Sequence, residues 1–170
     1  MGTLKVRNAF LLLVLLLAVG AAAWSQALPS TAGKTLTGKR LVVAEAVRGH
    51  AAVLVASFSK DAGPGCDEWA RTLRADPALA GVAVYQLAML EQAPGFIRGT
   101  IENGMRKGLS AAQQDSYAVL TADEKLWRAF LDVGTEKEAY VTLLDASGKV
   151  RWHGHGAARD LEPLVRAALK

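Results

Sequence analysis

Apolar residues in this chain come in short runs divided by glycine, proline and charge, and the runs alternate between a strand-like and a helical period. Val53, Leu54 and Val55, followed by Phe58, make an unbroken apolar stretch, the pattern of a strand covered on both faces. Gly63-Pro64-Gly65 stops it, and Asp67 and Glu68 open a helix that carries Trp69, Ala70 and Leu73 on one face. Before it, Leu41-Val42-Val43 with Val47 predicts a strand and Arg48-Gly49-His50 a turn. After it, Asp76-Pro77 ends the helix and residues 82–87 form a further strand. Strand, crossover helix and strand imply a parallel pair with a right-handed connection.

Between residues 94 and 109, Ile97, Ile101 and Met105 recur every four positions as a narrow apolar stripe, and Arg98, Arg106 and Lys107 make the segment basic. Its glycines each cost roughly 1 kcal/mol relative to alanine in a helix, so this helix depends on its surroundings. Tyr117–Leu120 reads as a short strand. Thr121 and Glu124 have capping-box spacing, with Leu126, Trp127, Phe130 and Leu131 as the apolar face of the helix they open. Residues 139–144 and 149–153 flank Asp145-Ala146-Ser147-Gly148, an antiparallel hairpin with positive φ expected at Gly148. Asp160 is placed to cap a last helix with Leu161, Leu164, Val165 and Ala168 inward and Pro163 in its first turn. The order β–β–α–β–α–β–α–β–β–α predicts an α/β fold, a mixed central sheet flanked by helices, ending in a β-hairpin plus helix.

Composition bounds this picture. The chain has 170 residues, 51% apolar and 21% charged, enough for one ordinary core. Residues 1–27 read as a signal peptide: Lys5 and Arg7, then an apolar run from Ala9 to Trp24, then Ser25-Gln26-Ala27 as a cleavage site. Left uncleaved, the same run would act as a membrane anchor through residues 9–24. Residues 28–34, LPSTAGK, are expected to be a linker and 35–170 the domain. The expected location is periplasmic or exported, with possible attachment to the inner membrane. The formal charge of +4 includes Lys5 and Arg7, so the remainder is too weakly basic to argue for nucleic acid.

The one cysteine, Cys66, falls at the expected helix start, where orphan N–H groups and the helix dipole favour a thiolate. It is the candidate catalytic residue, against the alternative of a small residue at a helix start. No second cysteine exists for dithiol chemistry. His153 and His155 are two apart, but two ligands do not make a metal site. No phosphate loop, carboxylate pair or serine-nucleophile motif appears, so no metal or cofactor is assigned. Trp152 is read as a packing residue on the sheet face, with a binding platform as the alternative.

The strand–loop–cysteine–helix order resembles the thioredoxin-like superfamily, and the loop resembles that of the peroxiredoxins. Their loop has a proline and a threonine before the cysteine; Ser59 and Gly63 stand there instead, and Ala139 stands where the resemblance would require an arginine. A broader resemblance covers residues 36–164. Ser57-Phe58-Ser59, the segment from Phe96 to Leu109, the EKLWRAF helix, and Asp145, Gly148, Lys149, Arg151, Trp152, Gly154 and Gly156 resemble the mitochondrial ATP synthase assembly factor ten family. That resemblance implies a thioredoxin-like three-layer fold without the redox pair, and a binding or chaperone-like assembly role toward a protein partner or membrane-protein segment in the envelope. The expected surfaces are Arg98, Arg106 and Lys107 on one helix, and Arg151, Trp152, Gly154 and Gly156 at the hairpin edge. The alternative function is a single-cysteine thiol peroxidase or reductase using Cys66.

Overall fold

A computed structural model describes residues 27–169; the expected signal peptide or anchor, apart from Ala27, lies outside the described residues. The strands are β1 (Ala32–Thr35), β2 (Arg40–Val42), β3 (Ala52–Ser57), β4 (Ala83–Met89), β5 (Tyr117–Leu120), β6 (Tyr140–Leu144) and β7 (Val150–His155). The helices are α1 (Val43–Ala46), α2 (Gly63–Ala75), α3 (Gly95–Arg106), α4 (Ala111–Asp115), α5 (Glu124–Phe130) and α6 (Ala158–Ala168). The seven strands form one sheet in the order β2-β1-β5-β4-β3-β6-β7.

Every residue of β3 is buried, as its continuous apolar run requires, and it pairs parallel with β4 and antiparallel with β6. Successive side chains point to opposite faces, so this one strand feeds two cores. Val53 and Val55 pack with Cys66, Trp69, Leu73, Val141, Leu143 and Val165 beneath α2 and α6. Leu54 and Ala56 pack with Phe58, Leu87, Leu120, Trp127 and Tyr140 beneath α5 and α1. A smaller cluster of Leu36, Ala88, Tyr117 and Val119 receives Met105 from α3. The result is the three-layer, mixed-sheet α/β architecture that the sequence predicts.

Several boundaries differ from expectation, each for a local reason. Residues 32–34, read as linker, lie in β1, which pairs with both β2 and β5. The small Gly33 permits this: a Cβ there would meet Leu120 Cδ2 and lie 2.6 Å from the Val119 carbonyl oxygen. The strand expected through Val47 stops at Val42, because Val43 and Val47, four apart and both buried, are satisfied by a helical turn. The helix expected to open at Asp67 starts at Gly63, with Pro64 in its first turn. The last helix starts at Ala158, without a side-chain cap from Asp160, and Leu164 faces outward at 49% exposure.

The Thr121–Glu124 capping box does not form. Asp123, at φ 62°, precedes α5 without capping it, and the Glu124 N–H donates to Glu91 Oε2 from the neighbouring loop, 2.7 Å. The helix is short, so Trp127 and Leu131, four apart, take the inward face, while Leu126 turns out and is 58% exposed. Trp127 is fully buried and its Nε1–H donates to Thr31 Oγ1, 3.0 Å. Gly148 has the expected positive φ, +81°.

Candidate functional site

Starting α2 at Gly63 moves Cys66 inside the helix. Its N–H donates to the Ala62 carbonyl, 3.0 Å, so it is not one of the orphan donors that would stabilise a thiolate. The side chain turns onto the sheet, 1% exposed, among Val53, Val55, Trp69 and Val141. Its Sγ–H points to the Ala56 carbonyl, 3.6 Å. The expected lowering of the thiol pKa is therefore reversed: burial pushes it up to about 12, a hydrogen bond with Ser57 pulls down, and the Asp67 charge adds a smaller push up. Ala139 is also buried in this cluster. An apolar methyl closes the corner where the peroxiredoxin resemblance would require a guanidinium.

The basic residues of α3 are partly spent inside the fold. Arg98 closes the loop before its own helix, donating from Nε to the Ala93 carbonyl, 2.8 Å, and from Nη2 to the Glu91 carbonyl, 2.9 Å. Arg106 ties α3 to the β1–β2 turn through the Leu36 carbonyl, 2.7 Å, and pairs with Glu102, 3.1 Å. Lys107, just past the helix, is exposed. The structure does not gather these three cations into one cluster with Arg151, which lies exposed on β7 at the far edge of the sheet.

At that edge, Trp152 is half-buried beside Trp69, with ring centroids 6.5 Å apart. Gly154 leaves room for the Trp152 ring, since a Cβ there would lie 2.9 Å from ring carbons. The Gly156 carbonyl accepts from Trp69 Nε1–H, 2.7 Å, and its N–H donates to the Ala139 carbonyl, 3.2 Å. The two glycines and the tryptophan thus lock β7 to α2. His155 contacts Glu138 and lies against the Tyr140 ring, 5.3 Å between centroids. Partial burial moves His153 below its ordinary pKa, and the Asp132 charge opposes that. Among the described residues, no group of three or more His, Cys, Asp or Glu is placed to hold a metal ion.

Two polar clusters escaped the sequence reading. Gln86, buried on β4, donates from Nε2 to Asp67 Oδ1, 3.0 Å, while Arg74 reaches the Val84 carbonyl, 3.3 Å. At the far end of α2, Arg166 of α6 bridges Asp76, 3.0 Å, and Glu162, 3.0 Å. A hydrogen bond with Glu162 and one from the Ala78 N–H hold the Asp76 carboxyl below its ordinary pKa. Burial, followed by that bond to Asp76, raises Glu162. A polar residue in an apolar strand was the only sequence signal for Gln86. Nothing linear joins positions 76 and 162.

Residues 21–167 match the family described as ATP10 protein. Among solved structures, the chain is similar to a putative thiol:disulfide interchange protein DsbE from Chlorobium tepidum, with a TM-score of 0.59 and 16% identity over 87% of this chain and 99% of that one. It is similar to peroxiredoxin Q from Xanthomonas campestris, at 0.55 and 15% over 87% and 100%. A thioredoxin family thiol:disulfide interchange protein from Chlorobium tepidum TLS gives 0.54 and 22% over 89% and 100%. At these identities the likeness is one of fold. No curated protein matches the chain.

Proposed function

Because the chain belongs to the ATP10 protein family and has a thioredoxin-like fold, we propose that it is a non-redox binding or assembly factor of the cell envelope, with chaperone-like action on a protein or membrane-protein segment. The observation that carries this reading is the closed Cys66 corner. The position at which the peroxiredoxin resemblance would require a reactive sulfur holds a buried thiol whose pKa is raised to about 12. Only a small fraction of such a thiol is ionised near neutrality, and its thiolate is the nucleophile that either peroxide or disulfide chemistry needs. Donors preorganised on the peroxide oxygens would also be required, and Gly63 and Ala139 offer no side-chain donor.

The exposed cations Lys107 and Arg151, and the β7 edge, are the surfaces this reading offers to a partner. A deletion strain complemented with Cys66→Ser tests it, alongside a peroxide-consumption assay on the wild type with a thiol donor. Full complementation and negligible peroxide turnover are expected. Loss of function in a folded, correctly located variant, or rapid turnover by the wild type, would replace the binding reading with a thiol enzyme.

A further inference from the structure

Among the described residues three helices, α2, α3 and α6, are longer than ten residues, and of these α3 alone buries no apolar side chain. α2 buries Cys66, Trp69, Ala70 and Leu73, and α6 buries Ala158, Glu162 and Val165, whereas the buried residue of α3 is Glu102. The stripe that the sequence marks as apolar stays at the surface of the core. Ile97 is 36% exposed, Ile101 and Met105 are half-buried, and Phe96 beside them is 88% exposed. The helix also starts after Pro94 without a side-chain cap.

Gly99 and Gly104 lie inside this helix, and the fold requires glycine at neither. A Cβ at either position would meet nothing within 4 Å, and neither has a positive φ. Each nevertheless disfavours the helix about fivefold relative to alanine. What holds α3 to the sheet is chiefly polar. Glu102 Oε2 pairs with Lys34 Nζ of β1, 3.5 Å, and with Arg106 Nη2, 3.1 Å, while Arg106 Nε–H donates to the Leu36 carbonyl, 2.7 Å. Arg98 adds no tie across that seam, since its acceptors, the Glu91 and Ala93 carbonyls, lie in the loop before α3. Beneath are Leu36, Ala88, Tyr117 and Val119, on which α3 places Met105 and the residues beyond its ends place Leu90 and Leu109.

We propose that α3 is a strap that opens by local unfolding while the sheet, α2 and α6 stay folded, uncovering the floor formed by Leu36, Ala88, Tyr117 and Val119. Segments with few buried apolar contacts open at free energies well below that of global unfolding. α3 is such a segment: its stripe lies half in solvent, two glycines weaken it where no contact demands them, and its seam to β1 is an ion pair and one carbonyl. The four floor residues are each at most 5% exposed, so opening creates an apolar surface that the docked state hides. Elements that bury Trp69, Leu73 and the whole of β3 have no such route and open only when the domain unfolds.

The opening is a property of the chain alone, so it stands or falls independently of the binding role proposed above. Native-state hydrogen exchange on the full chain, read in a series of urea concentrations below the unfolding transition, tests it. Amides of residues 99–106 should be at least about tenfold less protected than those of residues 69–73 and should depend only weakly on urea, whereas exchange in α2 rises steeply with it. Gly99→Ala and Gly104→Ala should each slow exchange in α3 about fivefold. Val119→Cys reads the floor: a thiol reagent should modify position 119 without urea, while Cys66 reacts only as urea unfolds the chain. Exchange of α3 at the α2 rate and with the α2 urea dependence overturns the proposal. So does unchanged α3 exchange in both glycine variants, or modification at position 119 only in parallel with Cys66.

Discussion

The Cys66 corner and the rim formed by the first turns of α3 and α5 both follow the C-terminal ends of parallel strands, and they differ in burial and in access. The first is closed. Cys66 and Trp69 are 1% and 0% exposed, the cysteine backbone N–H is used within its helix, and an apolar residue, Ala139, fills the neighbouring position. The second is open, with Phe96 almost wholly in solvent and Leu126 turned away from the core. Reactive thiols need access and a stabilised negative charge, whereas exposed clustered apolar groups mark contact surfaces. In this chain the Cys66 corner is core, whereas the first turns of α3 and α5 carry exposed apolar side chains.

The sharpest way to break the contrast is at Trp127, which holds α5 from beneath while Leu126 faces out. Trp127→Ala removes a fully buried indole and its hydrogen bond to Thr31, and should cost on the order of 3–5 kcal/mol in urea melts. A loss below about 1 kcal/mol would show that the rim is not pinned to the core.

The closed corner has a pH signature of nearly the same size. The folded thiol keeps its proton up to about 12, whereas the ordinary value is 9.0, so the unfolded chain releases that proton first. The contribution to stability is complete below pH 9 and is lost as pH rises from 9 toward 12, up to about 4 kcal/mol. Tyr117, raised by burial and then by the charges of Cys66 and Asp67, adds a loss of the same sign at higher pH. Chemical denaturation across this range should therefore show a shallower alkaline decline in Cys66→Ala than in the wild type. Parallel declines would mean that the thiol is not sealed.

The smallest effects belong to the open rim. Phe96→Ser and Leu126→Ser should each change stability by no more than about 0.5 kcal/mol. A loss of several kcal/mol at either position would make these side chains part of the core and end the contrast.

The amino-acid sequence determined the fold class by itself, because periodicity and burial are local statements. The apolar run of β3, the α2 face with Trp69 and Leu73, the 145–148 turn and the hairpin all stand where pattern and turn chemistry put them. The loop around Cys66 already lacked the threonine, and the arginine position was already Ala139. Other features were settled only when distant segments met. Gly33 joined a strand because the β5 backbone approaches too closely for a side chain. Glu91, from another loop, accepts from the Glu124 N–H at the start of α5, where the expected local cap does not form. Gly154 and Gly156, which lie on the expected binding edge, also make room for Trp152 and accept from Trp69 across the fold. The thiol moved the opposite way in pKa from the helix-start argument because desolvation by burial outweighs the helix start, where the Cys66 N–H is already used within the helix. Such terms depend on what lies across space from a residue, and no linear spacing contains them.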